Sequence, residues 1–263
     1  MKKLAIAGCG KLGGIVVDAM IKGLLPDYEL VGVYSRTEDR AIMLAGKANE
    51  QGMDCQVADS FEELLALKPD YLVEAASPAA MRQWAKPALE NGTSIVTLSI
   101  GAFADDAFYA EIMETAKRNG THVSIVSGAT GGFDILQTAT LMGGATASFF
   151  NEKGPQGLVG TSVYDDSLQT EQRTVFTGTA KEAIKMFPTK VNVTVAASRA
   201  SVGPENMHVT IQSTPYFRGD TQRVEIRNPQ VHAVIDVYSA TAEIAGWSVV
   251  NTLRNISAPI VFV

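Results

Sequence analysis

Gly8, Gly10 and Gly13 stand in a G-x-G-x-x-G close to the N-terminus, within Leu4-Ala5-Ile6-Ala7-Gly8-Cys9-Gly10-Lys11-Leu12-Gly13. An apolar run of strand length precedes Gly8, and an apolar helical pattern (Ile15, Val16, Ala19, Met20) follows Gly13. In that setting each glycine has a task in holding a dinucleotide. Gly8 makes a tight turn, Gly10 lets backbone approach a pyrophosphate, and Gly13 lets the helix pack close on its strand. The helix start at Lys11 and Leu12 offers N–H groups and a partial positive charge to phosphates. The bland alternative is a tight turn that uses glycine for its own sake. The flanking strand and helix favour the cofactor.

A second strand pattern ends in Val33-Tyr34-Ser35-Arg36-Thr37. An NAD site commonly carries Asp or Glu about here, bound to the ribose 2′-hydroxyl. Ser35 stands instead, with Arg36 beside it and Arg40 nearby. Without the carboxylate a 2′-phosphate is no longer repelled, and arginine supplies a bidentate partner for it. This favours NADP over NAD, against the alternative of a solvated loop arginine. Three later loops follow strands whose carboxyl ends rim the cofactor crevice. They are Ala76-Ser77-Pro78, Ser99-Ile100-Gly101-Ala102 and Ser127-Gly128-Ala129, all of small residues that suit a flat nicotinamide ring. No metal site is read.

The elements that must position these loops alternate between strand and helix from Lys3 to about Val126. Strands are expected at Leu4–Ala7, Leu30–Tyr34, Cys55–Ala58, Tyr71–Ala75, Ser94–Leu98 and His122–Val126. Several are unbroken apolar runs, as parallel strands covered on both faces require. Helix starts are legible between them. Ser60 precedes Phe61-Glu62-Glu63 as a capping box, Pro78 follows Ser77, and Asp105-Asp106 load a first turn with acid. The pattern predicts an α/β, Rossmann-type doubly wound parallel sheet. Past the glycine-rich hinge at 127–132 the texture changes to a helix over 133–142 and shorter alternating runs. The latter are Leu158–Tyr164, Arg173–Thr177, Met207–Ser213, Gln222–Arg227 and Val231–Tyr238, with an amphipathic helix from Thr179 to Phe187 stopped by Pro188. A helix from about Ala240 to Asn255 and a short run Ile260–Val263 end the chain. We expect a dinucleotide domain over 1–127, completed by 240–263, and an α+β substrate and dimerisation domain over 128–239. The second sheet should be mostly antiparallel.

The 263 residues suffice for one large or two modest cores. A net charge of −6 without a basic cluster argues against nucleic acid or an anionic membrane as partner. No apolar run approaches the roughly 20 residues of a bilayer span. Met1-Lys2-Lys3 leads straight into a strand, so no secretory signal is expected, and two cysteines suit a reducing cytoplasm.

Several blocks carry a resemblance. They are Val73-Glu74-Ala75-Ala76-Ser77-Pro78-Ala79-Ala80, Leu98-Ser99-Ile100-Gly101-Ala102-Phe103-Ala104-Asp105 and Ser127-Gly128-Ala129-Thr130-Gly131-Gly132-Phe133-Asp134. Gly178-Thr179-Ala180-Lys181-Glu182-Ala183 follows, leading into Phe187-Pro188 and Lys190-Val191-Asn192-Val193. In this order, over most of the chain, they resemble the L-aspartate dehydrogenase family. The resemblance implies a nicotinamide-dependent enzyme that oxidises aspartate to iminosuccinate or runs in reverse, a homodimer, and cofactor contacts at Ala129 and Asn192. It also implies a catalytic histidine in the strand after a Val-Thr-Ile-x-Ala-Asp-Pro block. Here that block reads Val209-Thr210-Ile211-Gln212-Ser213-Thr214-Pro215, and the histidine position falls on Gln222. The family's Asn-Pro-Lys-Thr-Ser segment ahead of the last helix is shortened or absent. Glutamine hydrogen-bonds but exchanges no proton near neutral pH. The substrate or the acid–base group has therefore changed. His232, in the next strand, is the candidate replacement, although a strand histidine is more often structural. His208 and His122 begin strands as ordinary surface residues. Lys153 could hold a substrate carboxylate, or be a solvated loop lysine. The expectation is an NAD(P)-dependent oxidoreductase of a small amino, imino or oxo acid. A non-catalytic nucleotide-binding homologue and a dehydrogenase of another carbonyl or polyol are the alternatives.

Overall fold

A computed structural model describes residues 1–187 and 191–262. Pro188, Thr189, Lys190 and Val263, among them the expected helix stop at Pro188, lie outside the described residues. The chain forms two compact units. One comprises Met1–Val126 with the C-terminal segment from Ala245, and the other spans Ser127–Ile244.

The first unit alternates strand and helix, as its apolar runs separated by capped amphipathic segments dictate. The strands are β1 (Lys2–Ala7), β2 (Tyr28–Tyr34), β3 (Gln56–Val57), β4 (Tyr71–Glu74), β5 (Ser94–Thr97) and β6 (Val123–Ile125). The helices are α1 (Lys11–Ile21), α2 (Glu38–Asn49), α3 (Phe61–Ala66), α4 (Pro78–Glu90) and α5 (Asp106–Asn119). All six strands are parallel in the order β3-β2-β1-β4-β5-β6. This is the doubly wound sheet, with its reversal between β1 and β4. Caps fall where Ser60, Ser77 and Asp105 predict them: each side chain accepts from the N–H three residues on. The Glu63 carboxylate reaches back to the N–H of Asp59, one residue before the cap. Leu4, Ile6, Val16, Val17, Leu30, Val33, Val73 and Val96 build the core, which Val249, Val250 and Leu253 of the last helix complete. The Tyr28 hydroxyl donates to the Leu253 carbonyl at 2.8 Å and ties that helix down.

The second unit holds α6 (Phe133–Leu141), β7 (Thr146–Lys153), β8 (Arg173–Thr179), α7 (Ala180–Met186), α8 (Asn192–Arg199), β9 (His208–Ser213), β10 (Asp220–Arg227) and β11 (His232–Ser239). The last helix, α9, spans Glu243–Ser257. The five-stranded sheet runs β11-β10-β7-β9-β8 and is mostly antiparallel, with β7 and β9 parallel at its middle. Two expectations need correcting. Leu158–Tyr164 is no strand: a single 3-10 turn covers Pro155–Leu158, and Gly160, at φ +82°, then bends the backbone out of any extended path. Conversely, the alternating Thr146–Lys153, which is not among the strands expected from the sequence, forms the middle strand of the five, between β10 and β9. Ile260 and its neighbours form no strand among the described residues.

Alternation along β7, β9 and β10 sends Ala147, Phe149, Val209, Ile211, Val224 and Ile226 to one face, where residues of α6, α7 and α8 bury them. The other face carries Phe150, Thr210, Arg223, Glu225, Val234 and Tyr238, of which Arg223, Val234 and Tyr238 are exposed.

Candidate active site

The β1–α1 loop is shaped by what its glycines touch. Gly8 has φ +109°, and a Cβ there would stand 2.5 Å from the Ala75 carbonyl carbon. A Cβ on Gly13 would stand 2.3 Å from the Gly8 carbonyl oxygen. Gly10 differs: nothing lies within 4 Å of its Cβ direction. Open space thus faces Gly10 and the first turn of α1, where backbone N–H groups face outward. A cavity of about 240 Å³ occupies that space, lined by Gly8, Cys9, Gly10, Ser35, Arg36, Ala76 and Trp84 among others. A cradle that glycine alone permits, opening onto a helix N-terminus, fits a dinucleotide pyrophosphate. At the end of β2 the Ser35 hydroxyl accepts from the N–H of Thr37 at 3.3 Å, while Arg36 and Arg40 are exposed beside the cavity.

Trp84 was not singled out from sequence. Its ring stacks on Phe61 at 5.0 Å and meets Tyr34 edge-on, which makes a rigid aromatic wall for the cavity. Cys9 lines the cavity too. Burial pushes its thiol up to about 11, so it is no nucleophile near neutral pH.

Glu74, at the carboxyl end of β4, is fully buried. Its Oε1 accepts from the N–H of Ala76 at 2.9 Å, the N–H of Ser77 at 3.2 Å and the Ser99 hydroxyl at 2.8 Å. Its Oε2 accepts from the Thr97 hydroxyl at 2.7 Å and the N–H of Ser99 at 3.3 Å. Burial raises its pKa, and the donors from Thr97, Ala76, Ser99 and Ser77 pull against that rise. Two of the small-residue loops, Ala76-Ser77-Pro78 and the one beginning at Ser99, therefore hang on one carboxyl group. The sequence signal was present: an acid closing the apolar run Leu72-Val73 has no place in a doubly covered strand without a polar task.

In the second unit the buried face of the sheet turns polar at one end. Asn151, Lys153, Ser213, Asp220, Gln222 and Ser239 take positions that are apolar further along the same strands. Asn151 pairs with Gln222, and Lys153 with Asp220 and Ser213. The Asn151 amide donates to Asp220 Oδ1 at 2.8 Å and to the Thr221 carbonyl at 3.0 Å. Lys153 Nζ lies 3.8 Å from Asp220 Oδ1, with its side chain 12% exposed. Gln222 Oε1 and the hydroxyls of Ser213 and Ser239 are buried without a hydrogen-bond partner. Lys153 and Asp220 border a cavity of about 540 Å³ that Tyr216, Phe217 and Arg218 also line.

His232 stands elsewhere. It pairs with Arg227, whereas Gln222 pairs with Val237. It is thus five register positions away, roughly 17 Å at 3.3 Å per residue, and on the open face. Its Nε2 lies 3.0 Å from Glu225 Oε1, and Arg227 first, then His232, hold the Glu225 carboxyl below its ordinary range. The sheet does not bring Gln222 and His232 together. His208 begins β9 and His122 precedes β6, both exposed. Ala129 lies half-buried in the loop between β6 and α6, and Asn192 is the first residue of α8.

The parallel sheet, the glycine cradle and the second mixed sheet define the class: nicotinamide-dependent oxidoreductases. Residues 8–125 match the homoserine dehydrogenase NAD-binding domain, and residues 134–256 match the aspartate dehydrogenase C-terminal domain. The chain is 30% identical, over 99% of its length and 98% of the relative's, to L-aspartate dehydrogenase of Methanosarcina mazei. It is 28% identical to L-aspartate dehydrogenase 2 of Bordetella pertussis, over 96% of each chain. Aspartate dehydrogenase of Thermotoga maritima, a crystal structure, superposes with a TM-score of 0.78 at 24% identity over 100% of both chains. The chain belongs to the L-aspartate dehydrogenase family.

Proposed function

We propose that the protein is an NADP-preferring dehydrogenase of a small amino, imino or oxo acid, with its substrate held at the polar end of the second sheet. The observation that carries this reading is the polar row Asn151, Lys153, Asp220 and Gln222, of which Lys153 and Asp220 border a cavity of about 540 Å³. Polar groups replace core residues there and nowhere else along β7 and β10 on that face. Lys153 is the group for a substrate carboxylate, since a charge-assisted pair is strong where water is scarce. Asn151 and Gln222 supply neutral hydrogen-bonding groups for orientation.

Toward the cofactor, Gly8, Gly10, Lys11, Leu12 and Gly13 hold the pyrophosphate, and Ser35 with Arg36 accommodates a ribose phosphate. Ala76, Ser77, Pro78 and Ser99 serve the nicotinamide end, and the family resemblance gives Ala129 and Asn192 cofactor contacts as well. The cofactor, when bound, supplies the hydride chemistry, and the chain supplies orientation and a path for the proton. Gln222 carries no proton near neutral pH, and the distant His232 is engaged with Glu225. That arrangement supports a second reading, in which the preferred substrate is not aspartate. Exposed Val234 and Tyr238 on the outer face of the second sheet support a homodimer, and two buried free thiols support a reducing, cytoplasmic setting.

The test is turnover with NADP and NAD across aspartate and related small acids, for the wild type and Gln222→His. Positioned acid–base catalysis contributes about 10²–10⁴-fold. Aspartate oxidation should therefore be weak in the wild type and rise in the variant. Robust wild-type aspartate turnover, unchanged in the variant, overturns the substrate half of the reading. No binding of either dinucleotide overturns the whole.

A further inference from the structure

Glu74 is more deeply placed than any other acid described in the first unit, and its surroundings are one-sided. Three of its five contacts are backbone N–H groups, those of Ala76, Ser77 and Ser99, which can only donate. The other two are the hydroxyls of Thr97 and Ser99. Such a donor shell is complementary to a carboxylate and not to a neutral amide or an apolar side chain. The sheet around it is apolar: Leu72 and Val73 precede it in β4, and Ile95 and Val96 lie in β5.

Its place on the sheet gives the charge a use. In a doubly wound sheet the dinucleotide lies across the carboxyl ends of the strands, one mononucleotide half on each side of the strand-order reversal. The reversal falls between β1 and β4. The glycine cradle follows β1, so the nicotinamide half belongs over β4, β5 and β6, and Glu74 closes β4. The oxidised nicotinamide ring is a cation and the reduced ring is neutral.

We propose that Glu74 is a positioning residue of the cofactor site that fixes the loops after β4 and β5, and that its carboxylate favours the oxidised cofactor over the reduced one. The inference rests on the dinucleotide reading above. It concerns a charge in the sheet floor, not a group that touches substrate. A buried charge acts through a low effective dielectric, so its influence survives over the several ångströms that water would screen.

The experiment measures dissociation constants of NADP⁺ and NADPH, and of the NAD pair, by titration of protein fluorescence. Wild type, Glu74→Gln and Glu74→Asp are compared, with circular dichroism as a check on folding. Gln keeps the size and loses the charge; with its NH₂ at the Oε2 position it meets the N–H of Ser99 and the Thr97 hydroxyl, which can turn to accept. The expected result is about a tenfold loss of affinity for the oxidised form, with the reduced form changed less than threefold. Asp keeps the charge and shortens the reach, so it should weaken both forms together and leave their ratio within threefold of wild type. Equal effects of Gln on both forms reduce Glu74 to a structural role and overturn the inference. So does an Asp variant with a tenfold altered ratio, and that arm stands even if Gln fails to fold. A wild type that binds neither form refutes the dinucleotide reading instead.

Discussion

Two glycines three residues apart, Gly10 and Gly13, should fail in opposite ways when given a side chain. Gly13→Ala places a Cβ 2.3 Å from the Gly8 carbonyl oxygen, which is backbone and part of the loop itself. α1 must back away from β1, and overpacking of this kind costs about 1–3 kcal/mol. For a chain of this size that is a fall in Tm of about 2–12 °C. Gly10→Ala or Gly10→Val meets nothing within 4 Å, and the backbone at Gly10, with φ −84° and ψ −167°, is open to any residue. Its Tm should hold within about 2 °C. The added atoms project into the space assigned to the pyrophosphate, so one or two charge-assisted contacts are lost at about 1.5–3 kcal/mol each. Cofactor affinity should fall on the order of a hundredfold. Differential scanning fluorimetry and NADPH fluorescence titration on the same preparations separate the two outcomes. A Gly10→Val protein that binds NADPH like the wild type would refute the cradle. A Gly10 variant that melts as early as Gly13→Ala would refute the division of roles.

Further outcomes follow from single features. Ser35→Asp with Arg36→Leu should move the NADP-to-NAD affinity ratio toward NAD by about ten- to a hundredfold, the worth of one charge-assisted contact; an unchanged ratio removes Arg36 from the site. Burial raises the Cys9 thiol from 9.0 to about 11 and the Cys55 thiol to about 12. Above pH 9 the unfolded chain releases both protons while the folded chain keeps them. Stability present below pH 9 is therefore lost as pH rises toward 11, by up to about 1.4 kcal/mol per thiol per pH unit. Urea unfolding at pH 8 and pH 10.5 should show this loss shrink in Cys9→Ala/Cys55→Ala, and an undiminished loss would discount the thiols.

The glycine spacing, the apolar runs of strand length and the caps at Ser60, Ser77 and Asp105 are local properties, and they suffice to make the first unit legible from sequence. Each depends on neighbours within a few residues: a side chain bonding an N–H three positions on, or an unbroken run that only a doubly covered strand tolerates. Ser35 and Arg36 could likewise be located because they end a strand whose end was visible. The polar row of the second sheet was not legible. Asn151, Lys153, Ser213 and Gln222 come from three strands, and only pairing in register sets them side by side on one face. The extent of β7, which anchors this row, is hidden in the sequence because Thr146 to Lys153 ends in Asn, Glu and Lys, residue types common in loops. The distance between His232 and Gln222 is a matter of register as well, since ten residues of sequence fold back into five positions of ladder and onto the opposite face. Glu74 stands between these cases. Its oddity in an apolar strand could be seen in the sequence, but its five donors lie up to 25 residues away along the chain. Only the parallel pairing of β4 with β5 brings Thr97 and Ser99 to it, because contacts between strands, unlike caps, are settled by the whole sheet.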